Sequence, residues 1–219
     1  MSRSPERADR LPLAEKHGGG RFPGFDVLDQ TGHWDSATTS VVYARLGRQP
    51  AVRFFSEMEE GTAGALFDQL LDQREEPRVP VVAMVDARLA EEQTDGWHYD
   101  GMPRDGQTWR ATLAWLDEDA QRRCRHTFAT AGWTDQAAVL DAVHRLGDGE
   151  WHGVVAAHVW SLWTRYACTA FYSHPWAWNE IGFGGPAYPR GYKNMGVDRL
   201  EPFEVADAAP TDYVRGWSS

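Results

Sequence analysis

Cysteine is almost missing from this 219-residue chain, which has only Cys124 and Cys168. Two thiols cannot build a disulfide framework, and no metal-ligand spacing accompanies them, so they read as two buried free thiols rather than one bridge. Positive charge is also in short supply. With 22 Lys and Arg against 32 Asp and Glu, the formal net charge is −10. Phosphate-backbone binding needs a basic footprint, as does docking on an anionic membrane, so neither nucleic acid nor a lipid surface is expected as a partner. No apolar run reaches the length of a membrane-spanning helix. The opening stretch MSRSPERADRLPLAEKHGGG lacks the apolar segment of a secretory signal. The internal pair Arg122-Arg123 is followed by no such segment and is not a twin-arginine signal. The default expectation is a cytoplasmic protein, with export alongside a partner left open.

The familiar catalytic signatures are absent too. No GxGxxG follows a strand pattern, and there is no GxSxG, HExxH or phosphate-cradling loop. The eight histidines are scattered. His152 and His158 are six apart, which on a helix puts them on opposite faces rather than in a metal pair. His126 and His144 stand alone. No catalytic, cofactor-binding or metal-ligating residue is assigned to this chain.

What is present is aromatic and helical. Apolar residues make up 42%, ordinary for one globular domain with a real core, but 11 tryptophans are not ordinary, and five lie between Trp151 and Trp178. Ser56 to Glu59 has the form of a capping box, followed by Ala63, Leu66, Phe67, Leu70 and Leu71 at helical spacing, which predicts a helix over 57–72. Pro80 can open a second, with Val82, Val85 and Leu89 on one face. Trp109, Thr112, Leu113 and Leu116 mark a third, continuing or restarting after Asp117. Thr134 is the expected N-cap of a fourth, carrying Leu140, Val143 and Leu146. The longest is expected over 153–172, with Val155, Val159, Leu162, Trp163, Tyr166 and Ala170 on one side. About five helices without a confident sheet predict an all-α domain over 54–205. An extended arm (1–53) precedes it, with residues 39–46 undecided between strand and helical turn. A tail (206–219) follows, anchored by Tyr213 or Trp217. The acidic stretch EEQTDGWHYDGMPRDGQ, from Glu91, reads as a loop long enough to carry function.

The densest signal is YACTAFYSHPWAWNEIGFGGPAYPRGYKNMG, from Tyr166 to Gly196. Glycine and proline interrupt it too often for a long helix, and it is too aromatic for a disordered tail. An ordered, irregular loop remains, with rings at its surface for recognition. Pro175 can start a short helical turn over Trp176 to Glu180. That turn could bring His174 to Glu180 as an acid–base pair; otherwise His174 braces the turn and Glu180 pairs with Arg190. Arg190, between Pro189 and Gly191, sits on a constrained backbone suited to bidentate pairing with a carboxylate.

The block HPWAWNEIGFGGPAYPRGY, with the preceding WSLWTRYACTAFYS, resembles the C-terminal end of the gluconate 2-dehydrogenase subunit 3 family, and the looser resemblance spans 54–205. It implies a non-catalytic small subunit that binds and stabilises an FAD-dependent sugar or sugar-acid dehydrogenase of the glucose–methanol–choline type. The flavin would belong to the large partner, and none to this chain. Small subunits of that family often carry a twin-arginine signal. The partner interface is expected at His174, Trp176, Trp178, Asn179, Glu180, Tyr188, Arg190 and Tyr192. The competing reading is a stand-alone carbohydrate-binding or carbohydrate-acting protein that uses its tryptophans as sugar platforms.

Overall fold

Ser56 opens the first long helix as its sequence implies. Its side chain accepts the Glu59 amide while the Glu59 carboxylate takes the Ser56 amide at 2.8 Å. The structure, a computed structural model, describes residues 21–22, 24–47, 49–194, 196 and 199–208. Residues 1–20 of the arm, with Pro23 and Arg48, and the anchors Tyr213 and Trp217 lie outside the described residues. Among those described, the elements are a 3₁₀ helix (Val27–His33), α1 (Ser36–Leu46), α2 (Glu57–Leu71), α3 (Val81–Ala90) and α4 (Asp105–Cys124). They continue with α5 (Trp133–Arg145), a hairpin of β1 (Glu150–Trp151) and β2 (Val154–Val155), α6 (Ala156–Phe171) and α7 (Pro175–Ile181). The fold is all-α. It divides into two compact units, Gln49–Phe171 and the two chain ends, Met1–Arg48 with Tyr172–Ser219.

In the first unit, α2 packs against α3, α4, α5 and α6. Leu66, Phe67, Trp109, Leu113, Leu116, Leu162 and Trp163 are all buried. Each large apolar side chain removed from water contributes roughly 1.5–3 kcal/mol, and this set dominates the stability of the unit. The Trp163 indole finds its partner inside, donating to Thr112 Oγ1 at 3.1 Å. Asp86, the one acidic residue of α3, is 1% exposed. It accepts the amides of Arg53 at 2.7 Å and of Phe54 and Phe55 at 2.8 Å each.

Several boundaries differ from expectation. α4 runs unbroken through Asp117, whose carboxylate takes the Phe128 amide at 2.8 Å and so fixes the chain beyond the helix end. α5 begins two residues earlier, with Gly132 rather than Thr134 as N-cap, and Leu146 lies at its exposed end. α6 begins at Ala156, not near Gly153, because the preceding residues form the hairpin. His152 (φ 50°) and Gly153 (φ 82°) supply the two positive φ values that a tight two-residue turn requires. His152 therefore shares no helix with His158; it stacks on Trp115 with ring centroids 5.1 Å apart. Cys124 and Cys168 are free, but neither is buried as expected: Cys124 is half-buried and Cys168 exposed.

In the second unit, the described part of the segment read as an extended arm is helical over Val27–His33 and Ser36–Leu46. Asp26 starts the 3₁₀ helix by accepting the Leu28 amide at 3.0 Å, and Asp35 starts α1 by accepting the Thr38 amide at 2.8 Å. Two acidic N-caps decide what the scattered apolar residues left open. Val27, Trp34, Val42 and Trp178 form the core, with Phe25 and Leu28 against it. The described ends of the chain meet: Ala208 N donates to Arg21 O at 2.7 Å, and Arg21 pairs with Asp207.

Candidate recognition site on the C-terminal segment

α7 is set by its first residues. His174 is its N-cap, Pro175 occupies the first turn, and Gly182 ends it at φ 67°. The expected short turn is thus a real helix. His174 is 1% exposed. Its Nδ1 accepts the Trp176 amide at 3.2 Å and its Nε2 faces the Arg45 carbonyl at 3.0 Å, so Nε2 carries the proton. Burial, reinforced by the nearby Arg45 charge, holds its pKa down to about 4. With both ring nitrogens occupied and no affinity for a proton near neutrality, His174 is not an acid–base partner of Glu180. It braces the turn.

Its neighbours are also structural. Trp178, 4% exposed, donates from its indole to Tyr172 O at 2.7 Å and lies under the Arg45 guanidinium, 5.8 Å from the ring centroid. Asn179 accepts the Val27 amide at 2.8 Å and donates to Asp26 at 3.3 Å, tying α7 to the 3₁₀ helix. Trp176 is half-buried with its ring edge-on to His174, 4.8 Å between centroids. Glu180 is half-buried.

Beyond α7 the backbone turns back over the core so closely that only glycine fits. A Cβ on Gly185, at φ +75°, would lie 2.4 Å from Trp34 Cζ2, and one on Gly184 would lie 2.5 Å from Phe203 O. Arg190 fastens the loop from within. It donates to Gln30 Oε1 at 3.0 Å, Gly184 O at 3.2 Å and Pro186 O at 3.1 Å, and its guanidinium lies 3.8 Å from the Phe203 ring centroid. Desolvation lowers its pKa. The guanidinium expected to point outward, or to pair with Glu180, is spent on backbone carbonyls and Gln30. Glu201, 5% exposed, closes the far side by accepting the amides of Lys193 and Asn194.

The eight expected contact residues are therefore sorted by depth. His174 and Trp178 are enclosed; Trp176, Asn179, Glu180 and Arg190 are half-buried; Tyr188 and Tyr192 stand out, 66% and 54% exposed. Residues outside the expected set join the two tyrosines at the surface: Tyr172, Ile181 and Phe183. Of eleven exposed large apolar side chains among the described residues, eight belong to this unit. Sequence reading did not single out Gln30 and Phe203, whose partner Arg190 is more than a hundred residues away from one and across a loop from the other. Among the described residues no cluster of three or more His, Cys, Asp or Glu could hold a metal ion, and no helix is long and apolar enough to cross a membrane.

The family model described as Gluconate 2-dehydrogenase subunit 3 matches residues 57–185, more than half of the chain. The match takes in α2 through the Gly184-Gly185 turn, and Tyr188, Arg190 and Tyr192 lie past its end. No curated protein and no solved structure matches the chain.

Proposed function

Because the chain belongs to the gluconate 2-dehydrogenase subunit 3 family, we propose that it is the non-catalytic small subunit of a cytoplasmic complex with an FAD-dependent sugar or sugar-acid dehydrogenase. In this reading the large subunit carries the flavin and oxidises an alcohol carbon, passing hydride to the flavin. The small subunit stabilises it by covering part of its surface.

The concentration of exposed rings in the unit of the chain ends carries the proposal. A side chain such as Tyr188, 66% exposed, offers large contact area at low rotamer cost and keeps a polar tip for a hydrogen bond. A stable interface buries about 800 Å² per partner, with a few central aromatic anchors giving most of the affinity. Tyr188 and Tyr192 are those anchors. His174, Trp178, Asn179 and Arg190 hold the loop that presents them and do so without touching the partner.

Co-expression with an FAD-dependent sugar dehydrogenase large subunit of the glucose–methanol–choline type, followed by gel filtration with flavin absorbance, is the test. Co-elution with flavin supports the reading, as does its loss in a Tyr188→Ser/Tyr192→Ser chain of unchanged thermal midpoint. A wild-type chain that elutes alone and colourless sinks it.

A further inference from the structure

The unit Gln49–Phe171 holds a cleft that the docking surface does not use. It encloses about 750 Å³ between the end of α3, the loop that follows it and the first turn of α4. That volume suits a monosaccharide or a somewhat larger ligand.

Its walls are more positive than the rest of this acidic chain. Arg53, Arg104 and Arg110 line it, against Glu92 and Asp105. Asp105 is 4% exposed and accepts the Tyr166 hydroxyl at 2.7 Å, so its charge is committed away from the opening. Arg110 is held rigid by Glu59 at 2.7 Å and the Phe54 carbonyl at 2.6 Å, with its guanidinium 4.2 Å from the Phe54 ring centroid. Arg53 pairs with Glu91 at 3.0 Å, but both side chains are about half exposed, and such pairs are weak. Arg104 has no hydrogen-bond or ion-pair partner among the described residues, in a chain of formal charge −10 where carboxylates are plentiful. It also precedes α4, whose N-terminus no side chain caps.

The aromatic wall narrows the ligand further. Trp97 is 48% exposed. The Arg165 guanidinium lies 4.5 Å from its ring centroid, and Tyr99 meets it edge-on at 5.3 Å. Arg165 is itself pinned by Asp95 at 2.6 Å. With a cation already over one face of the indole, a second cation on the other face is repelled. C–H groups are accepted there. Thr94, Gln107 and Glu92 offer donors and acceptors around the opening, the equipment for hydroxyl groups.

We propose that this cleft binds an anionic sugar, with its C–H face on Trp97 and its carboxylate or phosphate against Arg104. The anionic preference stands on the geometry; the choice of a sugar rests on the proposed function. On that reading, the small subunit holds the substrate class of its partner at a second site.

The test is calorimetric and tryptophan-fluorescence titration of the full chain with D-gluconate, glucose 6-phosphate, glucose and glucosamine. The expected result is saturable binding of both anionic sugars, at least tenfold weaker binding of glucose and none of glucosamine. Which anion binds more tightly tells carboxylate from phosphate. Arg104→Gln and Trp97→Ala should each weaken the anionic sugars at least tenfold with an unchanged thermal midpoint. The proposal is overturned by binding of glucose as tight as that of the anions, by no saturable binding of either anion, or by binding that survives both substitutions. Co-elution of the same variants with the flavoprotein separates the two readings. Sugar binding without a complex removes the subunit reading and leaves the cleft; a complex without sugar binding does the reverse.

Discussion

His174 joins α7 to α1 through Arg45, donating from Nε2 to the Arg45 carbonyl across 3.0 Å. Its pKa of about 4 lies below the ordinary 6.5. The unfolded chain therefore takes up this proton first, and acid favours unfolding. The stability due to His174 is fully present above pH 6.5, falls as the pH drops towards 4, and changes no further below that. The whole effect is at most about 3.5 kcal/mol. His174→Asn keeps an N-cap acceptor but does not titrate. Its urea midpoint should be lower than that of the wild type at pH 7 and should vary less between pH 7 and pH 4. Parallel pH profiles for the two proteins would refute the assignment.

Gly185 is the most constrained point of the loop. Alanine there would have to hold φ +75° and push a methyl into Trp34. Left-handed backbone costs a non-glycine residue about 1–2 kcal/mol, and overpacking adds about 1–3 more. Gly185→Ala should lose a few kcal/mol in chemical denaturation and, by disturbing the loop, weaken the complex. Gly191→Ala is the control, since it shares the positive φ but meets nothing within 4 Å; it should show only the backbone part.

Asp86→Ala would remove one carboxylate and strand three amides at once, those of Arg53, Phe54 and Phe55. Each buried donor left without a partner costs about 1–3 kcal/mol. A loss of about 3 kcal/mol or more is expected, while Asp86→Asn, which keeps one acceptor oxygen, should lose less. Equal losses would show that the amides do not depend on the carboxylate pair.

Arg190 and Tyr188 should behave differently although they are two residues apart. Arg190→Lys loses the guanidinium fork to Gln30, Gly184 O and Pro186 O and the stack on Phe203. It should cost about 1–2 kcal/mol of stability and weaken the complex only through the loop. Tyr188→Ser should leave the thermal midpoint within about 1 °C, as surface changes do, and weaken the complex about tenfold or more. Fluorescence melts and gel filtration of both variants distinguish support from contact.

Local signals were legible wherever the chain answers to its own neighbours. The Ser56–Glu59 capping box, the apolar face of α6 and the Pro175 helix start each need only a few adjacent residues, and each is realised. The helix α1 was not visible, because its residues pack through Val42 alone and its β-branched run reads equally as strand. The hairpin at 150–155 is too short to show an alternating pattern, although His152-Gly153 is a turn dipeptide. Partners brought together by the fold were hidden. Asp86 and the amides that it holds are more than thirty residues apart, as the 32-residue separation from Phe54 shows. A lone acid in the apolar run VVAMVDARLA was the available clue. The rings of the C-terminal segment were rightly singled out as dense, but composition cannot separate an enclosed Trp178 from an exposed Tyr188.

The unit that presents those rings is made from the two ends of the chain, with Gln49–Phe171 contained between them. During synthesis the middle unit is complete in sequence before α7 and the loop beyond it are made. The flanking unit cannot assemble until the C-terminal segment has emerged, because Trp178 completes the core begun by Val27, Trp34 and Val42. N-terminal units generally fold first and long-range closure comes late. A chain cut before α7 would therefore lack Trp178 and leave the core of Val27, Trp34 and Val42 open, with no unit to present the rings.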